Sequence, residues 1–178
     1  MPTIRFICLA NSYKLRGRCV AGIRIDGKGW IRPVGPSSSG ELYYNHYRLD
    51  DGSEPQLLDV IEVDLDRPIP LPHQPENYLI SESRWRLLER PASRRYLNSL
   101  ESHIVQEPAL FGNYSDRVAF EIFTDNPADS SLVLIQPEKL RWVIDEHEGK
   151  RKSRAFFQLG SRRYYNLAIT DPLSFLSG

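Results

Sequence analysis

The sequence predicts a mainly β fold, built as one small barrel or two. Three observations carry that expectation. Apolar runs are short, of strand length, and recur along the whole chain of 178 residues. Gly, Pro and Asp-Gly punctuation separates them. Only one segment shows apolar residues at helical spacing, and no apolar run approaches the roughly 18 residues of a membrane span.

In chain order, residues 3–9 form a short apolar run after Pro2 and read as a buried strand that ends at Ala10-Asn11-Ser12. A polar, basic loop then leads into a second strand over 18–25. Asp26-Gly27-Lys28-Gly29 is a hairpin turn, because it supplies residues that tolerate positive φ. A third strand covers 30–34, and Pro33 and Pro36 argue that it ends early or lies at an edge. Residues 35–40 are a Ser-rich loop, and 41–48 are aromatic without clear periodicity. The run 57–65 alternates apolar and acidic residues from Ile61, the pattern of a half-exposed strand with Glu62 and Asp64 outward. Four prolines between Arg67 and Pro75 make that stretch an extended surface segment. Residues 76–80 pair briefly, and 85–88 form a short apolar patch. Residues 92–105 are the helix, with Leu97, Leu100 and Ile104 on one face, Ser93 at its start and Pro108 as the stop. Strands are expected over 118–123, 131–135, 140–145, 153–159 and 162–169.

Hydrophobic content of 40% and charged content of 26% are those of a globular protein, and a formal net charge of zero gives no global pull toward nucleic acid or an anionic membrane. Local charge is uneven. Residues 1–48 hold eight Lys or Arg against two acids, 49–83 hold nine acids against one Arg, and 150–163 hold six basic residues and no acid. Two cysteines, Cys8 and Cys19, do not make a disulfide scaffold, and the first residues lack a signal-peptide pattern. A cytoplasmic protein with reduced thiols and no membrane contact is expected.

The chemistry clusters in residues 8–34. Lys14, Arg16 and Arg18 can grip phosphates, with Arg able to hold two oxygens at once, or they form a solvated basic hairpin. Asn11 and Ser12 can reach a base edge or a phosphate, or serve a turn. Trp30 and Arg32, two apart, share one strand face; exposed, they stack a base and neutralise its phosphate, and buried, Trp30 is core under Arg32. The second basic cluster, with Lys152 and Arg154 beside Tyr164 and Tyr165, interleaves charge with aromatics on hairpin strands, which suits single-stranded nucleic acid or a soluble tip. The Cys and His residues show no metal-ligand spacing, and neither a Gly-rich phosphate loop nor a nucleophile elbow occurs. No cofactor or metal is expected, and binding fits better than catalysis, for which Cys19 or an unrecognised acid would be the working group.

Residues 8–22, then Gly29-Trp30-Ile31-Arg32-Pro33-Val34, then residues 57–63, then Gln74-Pro75-Glu76-Asn77-Tyr78 resemble, in order, a bacterial family named for a dual OB-containing domain. The resemblance implies two small OB-like β-barrels packed in one compact unit with one helix. Residues 1–90 would be the first barrel, and 91–178 the helix and second barrel. It adds Gln74, Glu76 and Asn77 as polar ligand-reading candidates and strengthens Asn11, Ser12 and Arg18. It also implies a setting in defence against phage and other invading elements, with a protein effector as partner. The expected function is recognition of single-stranded nucleic acid or of a nucleotide-like ligand; a small-ligand sensor, an enzyme acting on nucleotides or nucleic acid, and a protein-binding adaptor are the alternatives.

Overall fold

The computed structural model describes residues 2–14, 16–112, 118, 121–125, 127–147 and 150–170. The first apolar run does not stop at Asn11. It continues as β1 (Thr3–Lys14), because Asn11, Ser12, Tyr13 and Lys14 pair with Val20, Cys19, Arg18 and Gly17 of β2 (Gly17–Arg24). The polar stretch expected as a loop is therefore strand, and only the hairpin tip lies beyond it. A register shift between Cys8 and Ala10 bends β1 there. The Asp26-Gly27 turn forms as expected, with Gly27 and Gly29 at positive φ, and leads into β3 (Trp30–Val34).

β4 (Val60–Pro68) returns antiparallel to β1, and β5 (Asn77–Ile80) pairs antiparallel to β4 and parallel to β3. The strand order β1-β2-β3-β5-β4, with β4 back on β1, closes a five-stranded barrel. β6 (Arg86–Glu89) adds to the first part of β4. The third strand thus lies inside a closed barrel and not at an edge. Pro33 is accommodated because pairing with β2 ends at Ile31, while Arg32 donates its backbone N–H to the Glu76 carbonyl at 3.0 Å.

Alternation along the strands gives the barrel two apolar faces. Phe6, Val20, Ile31, Ile61, Val63, Leu65 and Trp85 fill its interior, Phe6 meeting Trp85 edge-on with ring centroids 6.2 Å apart. Ile7, Ile23 and Val60 face outward and are covered by Ala92 and Leu100, the latter on α2 (Arg94–Leu100). The predicted helix is shorter than its apolar spacing suggests, since residues 101–103 tighten into a single 3-10 turn. Its Ser93 sits at the N-cap without a side-chain capping bond. The aromatic segment after the Ser-rich loop forms one helical turn, α1 (Tyr44–Tyr47).

Glu62, expected to be solvated, is 3% exposed between Arg5 and Arg86, which both pair with it. That pairing explains the charge blocks of the first half: basic residues of 1–48 meet acids of 49–83 across the barrel, as Arg5–Glu62, Arg18–Glu54 and Arg32–Glu76.

The second half holds α3 (Ile122–Asp125) and a three-stranded antiparallel sheet, β7 (Glu138–His147), β8 (Lys150–Leu159) and β9 (Arg162–Ile169). The strand expected over 118–123 falls partly on residues 119–120, outside the described residues, and α3 occupies its end. Residues 131–135 form no strand beyond an isolated bridge between Leu134 and Ile104. The β7–β9 sheet has its own small core of Phe157, Leu159 and Tyr164. Among the described residues this sheet, and not a second closed barrel, is what the second half contributes. No helix among them is long and apolar enough to cross a membrane.

Candidate functional site

The β1–β2 hairpin divides its polar residues between two faces. Asn11, Tyr13 and Arg18 share one side. Asn11 is 8% exposed; its Nδ2 donates to the Pro55 carbonyl at 2.8 Å, and its buried Oδ1 has no hydrogen-bond partner among the described residues. The Arg18 guanidinium lies 4.0 Å over the Tyr13 ring and 3.4 Å from Glu54. Asn11 is thus buried under the hairpin, and the Arg18 charge is shared with Tyr13 and Glu54. Ser12 and Lys14 point the other way, and Arg16 is exposed at the tip.

The Ser-rich loop after β3 is pinned beside this hairpin. Arg18 and Leu42 exchange backbone hydrogen bonds of 2.8 and 2.9 Å. The approach is close enough that a Cβ on Gly17 would stand 2.4 Å from the Leu42 carbonyl oxygen, which is why glycine occupies that position. Within the loop, Ser37, Ser39 and Tyr43 donate to the Glu41 carboxylate. The Ser39 hydroxyl foremost, with the Glu41 backbone N–H and the Tyr43 hydroxyl, holds that carboxyl down at about 2. Glu41 thus stays ionised and fixes the shape of the loop.

Arg32 and the 74–77 segment, separate in sequence, meet in space. Arg32 is 7% exposed. Its Nη2 donates to Glu76 and to Ser131 Oγ (3.0 Å), and its Nε donates to Asn77 Oδ1 (2.9 Å). Glu76 also accepts the Ser131 backbone N–H at 3.1 Å. Of the two readings of the Trp30–Arg32 pair, Arg32 lies in the buried one, with its charge met by the Glu76 carboxylate. Trp30 is likewise no exposed stacking platform, being half-buried against the α2 cluster. Glu76 and Asn77 are buried members of the same cluster. Ser131 was not legible as a site residue, since no local motif marks it.

Two hollows border this cluster and share Gln74. The first, of about 250 Å³, is lined by Lys14, Val34, the loop residues 35 and 37–40, Ile69, Pro70, Leu71, Gln74 and Asn77. The second, of about 330 Å³, is lined by Arg32, His73, Gln74, Phe111, Val118, Phe123, Ser131 and Leu132. The β4–β5 connection that carries Gln74 is held by reciprocal backbone bonds between Leu71 and Gln74 and by the Ala128 N–H on the Pro72 carbonyl. One hollow offers the Lys14 ammonium and the Ser38 hydroxyl, since Ser37 and Ser39 are held by Glu41; the other offers aromatic rings beside a buried polar cluster. Lys14 forms no ion pair among the described residues.

Lys152 and Arg154 are not brought to this place; they lie on β8 of the separate three-stranded sheet. Neither Cys8, which is buried, nor Cys19, which is half-buried, is in a disulfide. Among the described residues no group of three His, Cys, Asp or Glu is arranged to hold a metal ion.

A five-stranded barrel closed in the order β1-β2-β3-β5-β4, with hollows between its β1–β2 hairpin and β4–β5 connection, defines a protein of the OB class. The family model of the dual OB-containing domain matches residues 4–176, and the chain belongs to that family. No curated protein and no solved structure matches it.

Proposed function

We propose that the chain is a nucleotide-recognising module that takes one nucleotide unit, free or at an exposed position of a nucleic-acid strand, across the two hollows that meet at Gln74. The observation that carries this reading is their complementary chemistry on either side of one residue. The Lys14–Ser-loop hollow suits phosphate oxygens, through the Lys14 ammonium and the Ser38 hydroxyl. The hollow with Phe111 and Phe123 suits the flat face of a base. The Gln74 amide, with donor and acceptor at one tip, suits the polar groups between. Arg32, Glu76, Asn77 and Ser131 hold the floor in place. The role is binding and not catalysis.

The bacterial defence setting, the protein effector, the cytoplasmic location and the second OB-like barrel over residues 91–178 belong to the same proposal. They rest on the family resemblance and, for the second barrel, on the antiparallel β7-β8-β9 meander.

Thermal-shift titration with the four ribonucleotides as mono- and triphosphates tests the reading, beside fluorescence anisotropy of labelled single-stranded and duplex DNA and RNA at two salt concentrations. A saturable stabilisation by at least one nucleotide, lost in Lys14→Ala and Gln74→Ala, is expected. Binding by none of these ligands overturns it.

A further inference from the structure

Much of the positive charge in the first half of the sequence is paired within the barrel. In the barrel, Arg5, Arg18, Arg24, Arg32, Arg86 and Arg90 each meet a carboxylate. The β7–β8–β9 sheet is different. Lys139, Arg141, Lys152, Arg154 and Arg163 make no ion pair among the described residues.

These cations share a face. β8 carries Lys152, Arg154, Phe156 and Gln158 at every second position, hence on one side of the sheet, while Ser153, Phe157 and Leu159 of the other side are buried. The register sets Arg141 opposite Phe156 and Arg163 opposite Gln158. The Arg141 guanidinium stands 4.9 Å from the Phe156 ring centroid, and Lys139 Nζ donates to Gln158 at 3.2 Å. A shallow hollow of about 240 Å³ opens here among Lys139, Arg141, Phe156, Arg163 and Tyr165, and Tyr165 is 61% exposed. The register sets Glu138 opposite Gln158 and Asp145 opposite Lys152, at the two ends of this run of cations.

We propose that this face binds single-stranded nucleic acid. Tyr165 stacks a base, Arg141 on its Phe156 platform and Arg163 hold phosphates, and Lys139, Lys152 and Arg154 extend the track. Unpaired cations beside the exposed Tyr165 ring on an open sheet are what a flexible polyanion with π-faces requires. A rigid duplex cannot bring its stacked bases onto Tyr165. The inference does not depend on the barrel cleft.

The test is fluorescence anisotropy with a labelled oligothymidylate of about 12 nucleotides, within the range such folds engage. The intact chain binds it, and the affinity falls with salt. Arg141→Gln with Arg163→Gln weakens binding at least tenfold and reduces the slope of log K against log salt by about 1.4, for two lost phosphate contacts on a single strand. Tyr165→Ala weakens binding about tenfold and leaves that slope unchanged, because it removes stacking and no charge. Circular dichroism verifies the fold, and if the double variant fails to fold, Tyr165→Ala alone decides. No oligonucleotide binding at about 50 mM salt overturns the proposal. So does equal binding by the folded variants, tighter binding of duplex, or loss of binding in Lys14→Ala alone, which would seat the strand in the cleft. If mononucleotides fail to bind while the oligonucleotide still depends on Tyr165, the cleft reading falls and this one stands.

Discussion

Glu76→Gln is the sharpest perturbation of the polar cluster under the cleft. Glu76 and Arg32 expose only 3% and 8% of their side chains, so the pair has little water to fall back on. The carboxylate accepts from Arg32 Nη2 and from both the hydroxyl and the backbone N–H of Ser131. An amide in its place has one oxygen to accept and turns its NH₂ on one of these donors. It also leaves the guanidinium charge buried and uncompensated. Breaking a buried pair in this way costs about 3–5 kcal/mol. With a urea dependence of about 2 kcal/mol per M, the unfolding midpoint falls by about 1.5–2.5 M. Urea titration followed by circular dichroism and tryptophan fluorescence reads it. The double variant Arg32→Met, Glu76→Leu recovers most of the loss, since removing both charges ends the penalty. A drop below about 1 kcal/mol for Glu76→Gln, the scale of a solvent-exposed pair, refutes the buried-cluster reasoning.

Other expectations follow from the same geometry. Trp30→Ala lowers stability by about 2 kcal/mol, through lost packing on α2; an unchanged urea midpoint with abolished nucleic-acid binding would instead make Trp30 an exposed stacking residue. Gly17→Ala drives a Cβ toward the Leu42 carbonyl, 2.4 Å away, and costs about 1–3 kcal/mol in the same titration. Glu41 has a folded-state value of about 2 against an ordinary 4.5, so its stabilising contribution is complete above 4.5 and is lost as pH falls through about 2. Ser39→Ala moves the Glu41 titration upward, toward 4.5, in a carboxyl carbon NMR titration; an unmoved midpoint shows that the serine does not hold it.

Much of the strand pattern was legible because short apolar runs and Gly-Pro turns are local signals. β3, β8 and β9 lie where their residues predict, and the Asp26-Gly27 turn forms. Closure of the barrel was not legible, because it depends on the parallel pairing of Arg32 with Asn77, which no local pattern encodes. Pro33 pointed to an edge because the sequence does not show that β2 pairing ends at Ile31. The polar run 11–14 looked like a loop because hairpin pairing, and not apolar content, makes it strand.

The site was legible in its residue types more than in their roles. Lys14 and Gln74, both candidates from the sequence, line one hollow beside the barrel. Arg32 looked like a phosphate ligand because its partner Glu76 is 44 positions away in sequence. The opposed charge blocks of residues 1–48 and 49–83 did carry that information, as the sequence trace of ion pairs that cross the barrel. In the block after residue 150, Lys152, Arg154 and Arg163 make no ion pair among the described residues.

Amide chemical-shift mapping places the ligand without assuming its identity. The ¹H–¹⁵N spectrum is recorded as a ribonucleoside triphosphate is raised to about 1 mM, the range of weak specific binding. Saturable shifts at Lys14, Ser39, Gly40, Gln74 and Ser131 are predicted, with the β7–β9 amides unmoved. An unchanged spectrum with every nucleotide, or shifts that leave Lys14 and Gln74 untouched, would contradict a nucleotide site over the barrel.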